Sequence, residues 1–214
     1  MIRPGLYPIA DTARLAPDAF APAVEAVLAG GAVMVQYRDK TEDDVRRAAQ
    51  AETLVGLCRR YGAVSIINDD PELAAASGAD GVHVGRDDAD PAALRARIGA
   101  NAIVGVSCYN ELERARRAAA VGADYIAFGS VYPSSTKPDA VYAPLSLLSA
   151  AKAETGLPVC AIGGITEARA PELVTAGADL LAVIDDVFSA PDITARARAY
   201  ARSWPTRARA EPAS

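Results

Sequence analysis

The stretch Gly122-Ala123-Asp124-Tyr125-Ile126-Ala127-Phe128-Gly129 joins a helical pattern, residues 111–120, to a short apolar run, and its first three residues recur. Gly-Ala-Asp also stands at Gly78-Ala79-Asp80 and Gly177-Ala178-Asp179, each time between a helical pattern and an apolar run. Gly30-Gly31-Ala32 holds the same place ahead of an earlier run. A glycine there suits a left-handed helix C-cap, which turns the chain into the next strand. The strand candidates are 6–9, 32–38, 64–68, 81–84, 103–107, 125–129, 159–162 and 180–184. Several are nearly all apolar, as parallel strands buried on both faces should be. Helical patterns such as 42–60, 111–120 and 167–175 lie between them, with acidic residues near their starts. The four glycine turns precede the second, fourth, sixth and eighth strands. A unit repeating every two strands favours an α/β closed (β/α)8 TIM barrel over an open doubly wound sheet. One barrel domain is expected over residues 1–202. Residues 203–214 are proline-broken and polar, and a disordered tail is expected there.

The chain has 214 residues, 51% of them hydrophobic, enough to bury one sizeable core. Its formal net charge is −5, which argues against nucleic acid as a partner, so any affinity for phosphate must come from a local site. Apolar stretches of about 4–8 residues fall far short of the roughly 20 a bilayer requires, and neither a membrane span nor a secretion signal is expected. Cys58, Cys108 and Cys160 form no CxxC pair, so neither a disulfide scaffold nor a zinc knuckle is expected. A reducing cytoplasm is the expected compartment.

In such a barrel the chemistry belongs at the C-terminal ends of the strands. After the second strand come Gln36-Tyr37-Arg38-Asp39-Lys40, where Gln36, Arg38 and Lys40 alternate onto one face. Two cations on one side make an anion site, and arginine can grip phosphate oxygens in pairs. The bland reading is a solvated strand end with Lys40 paired to Asp39 or Glu42. After the third strand, Asn68-Asp69-Asp70-Pro71 offers a helix cap in Asp70 and leaves Asp69 free. Asp69 and a carboxylate after the fourth strand could meet around magnesium, which takes few protein carboxylates. Spacing leaves both Asp87 and Asp88 open for that second place.

Ser107 closes the fifth strand. Ser134-Ser135-Thr136-Lys137 follows the sixth, a hydroxyl-rich loop with a lysine that can cradle and neutralise phosphate, though without the glycine framework of a Walker loop. Gly163-Gly164 follows the seventh, where barrels often bind phosphate. His83 lies inside the fourth strand and is expected to face inward as a structural or substrate-lining group rather than a base. The cysteines are expected to be packing residues, with Cys108 the one placed to touch a ligand. These residues together describe one magnesium and two phosphate groups at a barrel rim, and small phosphorylated molecules as the substrates.

Taken in order, Gln36 through Lys40, Ile67-Asn68-Asp69-Asp70, Gly81-Val82-His83-Val84-Gly85, Gly105-Val106-Ser107, Gly129 through Lys137 and Ala161-Ile162-Gly163-Gly164-Ile165 resemble the thiamine phosphate synthase family. The resemblance covers about residues 5–190. It implies a transferase that joins hydroxymethylpyrimidine diphosphate to thiazole phosphate, giving thiamine phosphate and pyrophosphate with magnesium. It implies that Gln36, Tyr37, Arg38, Asp39, Lys40, Asn68, Ser107 and Lys137 hold the pyrimidine diphosphate, Arg38, Lys40, Ser107 and Lys137 serving catalysis. It implies Asp69 and Asp88 as the magnesium ligands. Ser134, Ser135, Thr136, Gly164, Ile184 and Asp185 would match the thiazole phosphate site.

Two departures stand out. Ser134 replaces a usual threonine and keeps the hydroxyl. Ile184-Asp185 replaces a usual Ile-Ser, so a carboxylate would stand beside a phosphate; the expectation is that Asp185 turns its side chain away. A thiazole tautomerase would need neither the carboxylates nor the cations, a non-catalytic sensor is invited only by Asp185, and a sugar-phosphate isomerase leaves both cation clusters unexplained. Oligomeric state is open, a homo-oligomer included.

Overall fold

The computed structural model describes residues 2–85, 91–133 and 141–204. The expected ligand Asp88 with its rival Asp87, the loop Ser134-Ser135-Thr136-Lys137 and the tail beyond Trp204 lie outside the described residues. Eight parallel strands close into a barrel in sequence order. They are β1 (Gly5–Asp11), β2 (Met34–Arg38), β3 (Val64–Asn68), β4 (Gly81–Val84), β5 (Ile103–Tyr109), β6 (Tyr125–Phe128), β7 (Val159–Ile162) and β8 (Leu180–Val183). Helices α1 (Phe20–Ala29), α2 (Asp44–Tyr61), α3 (Pro71–Ser77), α4 (Pro91–Ile98), α5 (Leu112–Ala120), α6 (Ser146–Thr155) and α7 (Ala170–Thr175) connect them, and α8 (Asp185–Phe188) and α9 (Ile193–Ala201) close the chain.

Strand alternation splits the apolar side chains into two layers. Tyr7, Ile9, Met34, Ile66, Tyr125, Cys160 and Leu180 fill the barrel interior. Leu6, Ala10, Val35, Tyr37, Ile67, Ile126 and Leu181 face the helices, and Trp204 packs against this outer layer. Both faces of each strand are thus buried, which is why the strands read as continuous apolar runs. No described helix is long and apolar enough to cross a membrane.

Capping follows the local sequence. Asp43 accepts the N–H of Arg46 to start α2, Asp70 accepts that of Leu73 to start α3, and Pro71 occupies the first turn where its missing N–H costs nothing. Among the boundaries that differ from the expected ones, three have a clear local cause. The run at 32–38 begins pairing only at Met34, because the Ala32 N–H bonds the Val27 carbonyl and finishes α1. The helical pattern 167–175 splits into a 3-10 turn, Glu167–Arg169, and α7, with Pro171 in the first turn of the latter. The fifth strand runs on through a bulge to Tyr109, whose φ is 56°.

The recurrent Gly-Ala-Asp turns lie at the N-terminal end of the barrel, and their aspartates do something the sequence reading left out. Asp80 accepts the N–H of Ser65, Asp124 that of Val104, and Asp179 that of Val159. Each carboxylate before an even strand therefore satisfies an orphan donor on the odd strand before it. At the fourth such turn Val33 stands where the aspartate would be.

Candidate active site

A cavity of about 390 Å³ opens at the C-terminal mouth. Inward alternation on β2 brings Gln36 and Arg38 to its wall, while Asn68 of β3, His83 of β4 and Ser107 of β5 continue that wall. Gly163, Gly164, Ile184 and Asp185 form the side contributed by β7 and β8. Lys40 and Asp69 stand at the rim.

Arg38 Nη1 donates to Asp11 Oδ2 at 2.5 Å, and the Asp11 side chain is only 3% exposed. Asp11 also accepts the Ala13 N–H, which fixes its orientation after β1. The reading of the strand ends began at the second strand and missed Asp11; a polar residue closing the apolar run of β1 was the available signal. Lys40 Nζ reaches not Asp39 or Glu42 but Asp69 Oδ2, at 2.5 Å. Asn68 Nδ2 donates to the same oxygen at 2.7 Å. Asp69 has φ 57°, a left-handed turn that aspartate tolerates better than most residues, and its N–H bonds the His83 carbonyl.

That carboxylate is about one-third exposed and already receives a cation, so its chemistry fits a hard metal that binds few protein oxygens. Among the described residues no three His, Cys, Asp or Glu groups converge on one point.

Tyr37 and Asp39 are not brought to the cavity. Tyr37 faces the helices, edge-on to Phe20, and its hydroxyl bonds Asp39 and Gln50. Alternation puts it opposite Gln36 and Arg38, so its outward position was legible. Burial, then the neighbouring Asp39 carboxylate, raises the Tyr37 phenol above its ordinary range. Burial of Asp39 is outweighed by donors from Thr41, Arg46 and Tyr37, which lower its carboxyl to about 2. Arg46 ties Asp39 to α2 and Arg47 ties Asp70 to it, so one helix braces the loops that carry Lys40 and Asp69.

Arg114 of α5 braces the next pair of loops, donating to the Ser107 and Gly85 carbonyls at 2.7 and 2.8 Å. The sequence reading missed it, because nothing in a helix pattern shows which arginine reaches back to a strand. Cys108 belongs to the outer layer, and Cys160 is the cysteine that lines the cavity. The alternation that turns Ser107 inward turns Cys108 out. Burial pushes the Cys108 thiol up to about 12. Burial also lowers the His83 imidazole to about 4, against the pull of the Asp69 charge, so the ring is neutral at ordinary pH.

On the other wall Gly164 has φ 61°, and a Cβ there would sit 2.3 Å from the Pro133 carbonyl oxygen. Glycine is thus required at that turn. Arg169 donates to the Gly164 carbonyl at 2.8 Å and stacks over Tyr132, holding the loop. Asp185 meets Arg14 at 3.6 Å, with both side chains more than one-third exposed. Asp186 turns instead to Arg196, Tyr200 and the Glu167 N–H.

The profile of the family described as thiamine monophosphate synthase matches residues 6–187. The chain belongs to the thiamine monophosphate synthase family. It is 58% identical over 177 residues to the thiamine-phosphate synthase of Azoarcus sp. (strain BH72), covering 83% of this chain and 86% of that one. It is 48% identical over 202 residues to that of Nitrosococcus oceani, covering 94% and 93%. The solved thiamine phosphate pyrophosphorylase from Pyrococcus furiosus superposes with a TM-score of 0.83 at 35% identity, covering 93% of this chain and 94% of that one. As a thiamine monophosphate synthase the chain is a transferase of thiamine biosynthesis on a TIM barrel.

Proposed function

We propose that this synthase condenses hydroxymethylpyrimidine diphosphate with hydroxyethylthiazole phosphate, releasing thiamine phosphate and pyrophosphate. The observation that carries this reading is one cavity with two differently equipped walls. Arg38, with Gln36, Asn68 and Ser107, faces a glycine turn at Gly163-Gly164. Arginine beside amide and hydroxyl groups suits a diphosphate, and a tight glycine turn lets backbone approach a second phosphate closely.

The bond from the methylene carbon to the diphosphate oxygen breaks with its electron pair leaving on pyrophosphate, and the electron-rich aminopyrimidine stabilises the cation. The thiazole nitrogen then gives its lone pair to that carbon. Arg38 and Lys40 each begin in a carboxylate pair, and both can turn to the leaving group as its charge develops. Ser107 and Asn68 orient the first substrate. Ser134, Ser135, Thr136 and Lys137 are proposed to complete the phosphate contacts. Magnesium bound at Asp69, with Asp88 as its proposed second ligand, would neutralise further diphosphate charge. The chemistry calls for no strong base, in keeping with a neutral His83. Holding the two reactants in line supplies much of the remaining acceleration.

The test is pyrophosphate release with both substrates, with and without magnesium. Release that requires the thiazole phosphate and the metal supports the reading; binding of either substrate without release overturns it.

A further inference from the structure

A continuous hydrogen-bonded chain crosses the barrel interior. Gln36 Nε2 donates to the Tyr7 hydroxyl at 2.6 Å, and the Tyr7 and Tyr125 hydroxyls are 2.8 Å apart. The Tyr125 hydroxyl lies 2.9 Å from His83 Nδ1, and His83 Nε2 lies 2.9 Å from Ser107 Oγ. Tyr125 is fully buried and does not line the cavity, so it can act only through its neighbours.

We propose that Tyr125 is a positioning residue that sets the direction of this chain, fixing the His83 tautomer and leaving the Ser107 hydroxyl hydrogen for an acceptor in the cavity. The direction follows from counting hydrogens. An amide nitrogen only donates, so the Tyr7 oxygen accepts from Gln36 and its one hydrogen goes to Tyr125. Tyr125 then gives its own hydrogen to His83 Nδ1. Because Nδ1 accepts, the ring carries its one hydrogen on Nε2, which donates to Ser107 Oγ. Ser107 has accepted and keeps its hydrogen. Reversed, the Tyr7 hydrogen would face the Gln36 amide hydrogens, a buried donor without a partner inside the chain.

The neighbouring strand is shaped around this residue. A Cβ on Gly105 would lie 2.0 Å from Tyr125 Cζ and 2.4 Å from its hydroxyl oxygen. The ring therefore occupies the space a β5 side chain would fill. Tyr7 packs edge-on against it, with ring centroids 6.0 Å apart.

The identity of the acceptor as the pyrimidine diphosphate rests on the synthase reading; the direction of the chain does not. His83 is the only histidine, so nitrogen-15 NMR of histidine-labelled, substrate-free protein reads its ring directly. A single tautomer protonated at Nε2 is expected at neutral pH. A ring protonated at Nδ1, an imidazolium or an averaged mixture overturns the proposal, whether or not the protein turns over.

In Tyr125→Phe the tautomer signal is expected to become mixed, and kcat to fall about three- to tenfold with KM within about twofold. An unchanged tautomer in the folded variant overturns the proposal. Tyr7→Phe cuts the chain one link earlier and should mix the tautomers in the same way; it becomes the deciding variant if Tyr125→Phe does not fold. Adding Tyr125→Phe to Ser107→Ala should cost no further activity. Lack of pyrophosphate release in the unaltered protein would remove the synthase reading while the spectrum still judged the chain.

Discussion

At the N-terminal end of the barrel, Asp80, Asp124 and Asp179 each bind a backbone N–H of the neighbouring strand, and Arg95 and Lys152 further neutralise the last two. At the C-terminal end, Asp11, Asp69 and Asp185 meet Arg38, Lys40 and Arg14 through side chains. The residue types are the same at both ends. Carboxylates tied to strand backbone cannot let go without opening the sheet, whereas cations paired to side-chain carboxylates can be drawn to an arriving anion. The first arrangement holds a scaffold and the second can work as a site.

The sharpest way to break this contrast is Asp69→Ala. Under the proposed magnesium role, pyrophosphate release should fall by at least about 100-fold, since the charge neutralisation proposed for the leaving group would be lost. The thermal midpoint should hardly move, because the partly exposed pair with Lys40 contributes little to stability. Unchanged turnover would remove Asp69 from the site.

Lys40→Ala should lower kcat/KM by about 10- to 100-fold, again without a stability change, measured by steady-state kinetics beside a denaturant melt. Asp179→Ala should do the reverse. Losing the acceptor for the Val159 N–H should cost about 1–3 kcal/mol in urea unfolding while KM for both substrates stays put. A raised KM there would mean that the two ends are not separable.

A smaller effect tests the interior between them. The His83 imidazole is lowered to about 4 by burial, so the unfolded chain takes up a proton first as pH falls. Its contribution to stability should be complete above about pH 6.5 and decline toward pH 4, with a slope approaching about 1.4 kcal/mol per pH unit. Urea midpoints across that range, with His83→Gln as the reference, should show the slope disappear. The smallest change expected is Asp185→Ser, which should leave KM for thiazole phosphate equal or improve it by up to about fivefold. A large loss would give Asp185 a role beyond its pairing with Arg14.

Much of the rim was legible because strand ends are written locally. The alternation Gln36, Arg38, Lys40 places three groups toward one side whatever the rest of the fold does. The same alternation turns Tyr37 and Cys108 outward: naming Tyr37 as a substrate contact set aside the period-two rule, while Cys108 packs as the cysteines were expected to. The link from Asp69 to Lys40 was not legible, because it depends on a positive-φ turn and on the lateral pairing of β2 with β3. Asp11 and Arg114 were missed for a related reason: each serves by holding a group from another element, and a sequence pattern names no partner.

By itself the sequence determined the strand and helix types, their order, the glycine turns and the cationic strand end, since each follows from the chemistry of a few consecutive residues. Only the closed barrel decided which carboxylate holds Arg38. It also decided that the Gly-Ala-Asp aspartates seal the far end, and that Tyr7 and Tyr125, 118 residues apart, share a hydrogen bond. Those contacts run across the barrel axis and between neighbouring strands, where closure and strand stagger set which side chains meet, and neither is encoded in any local stretch of residues.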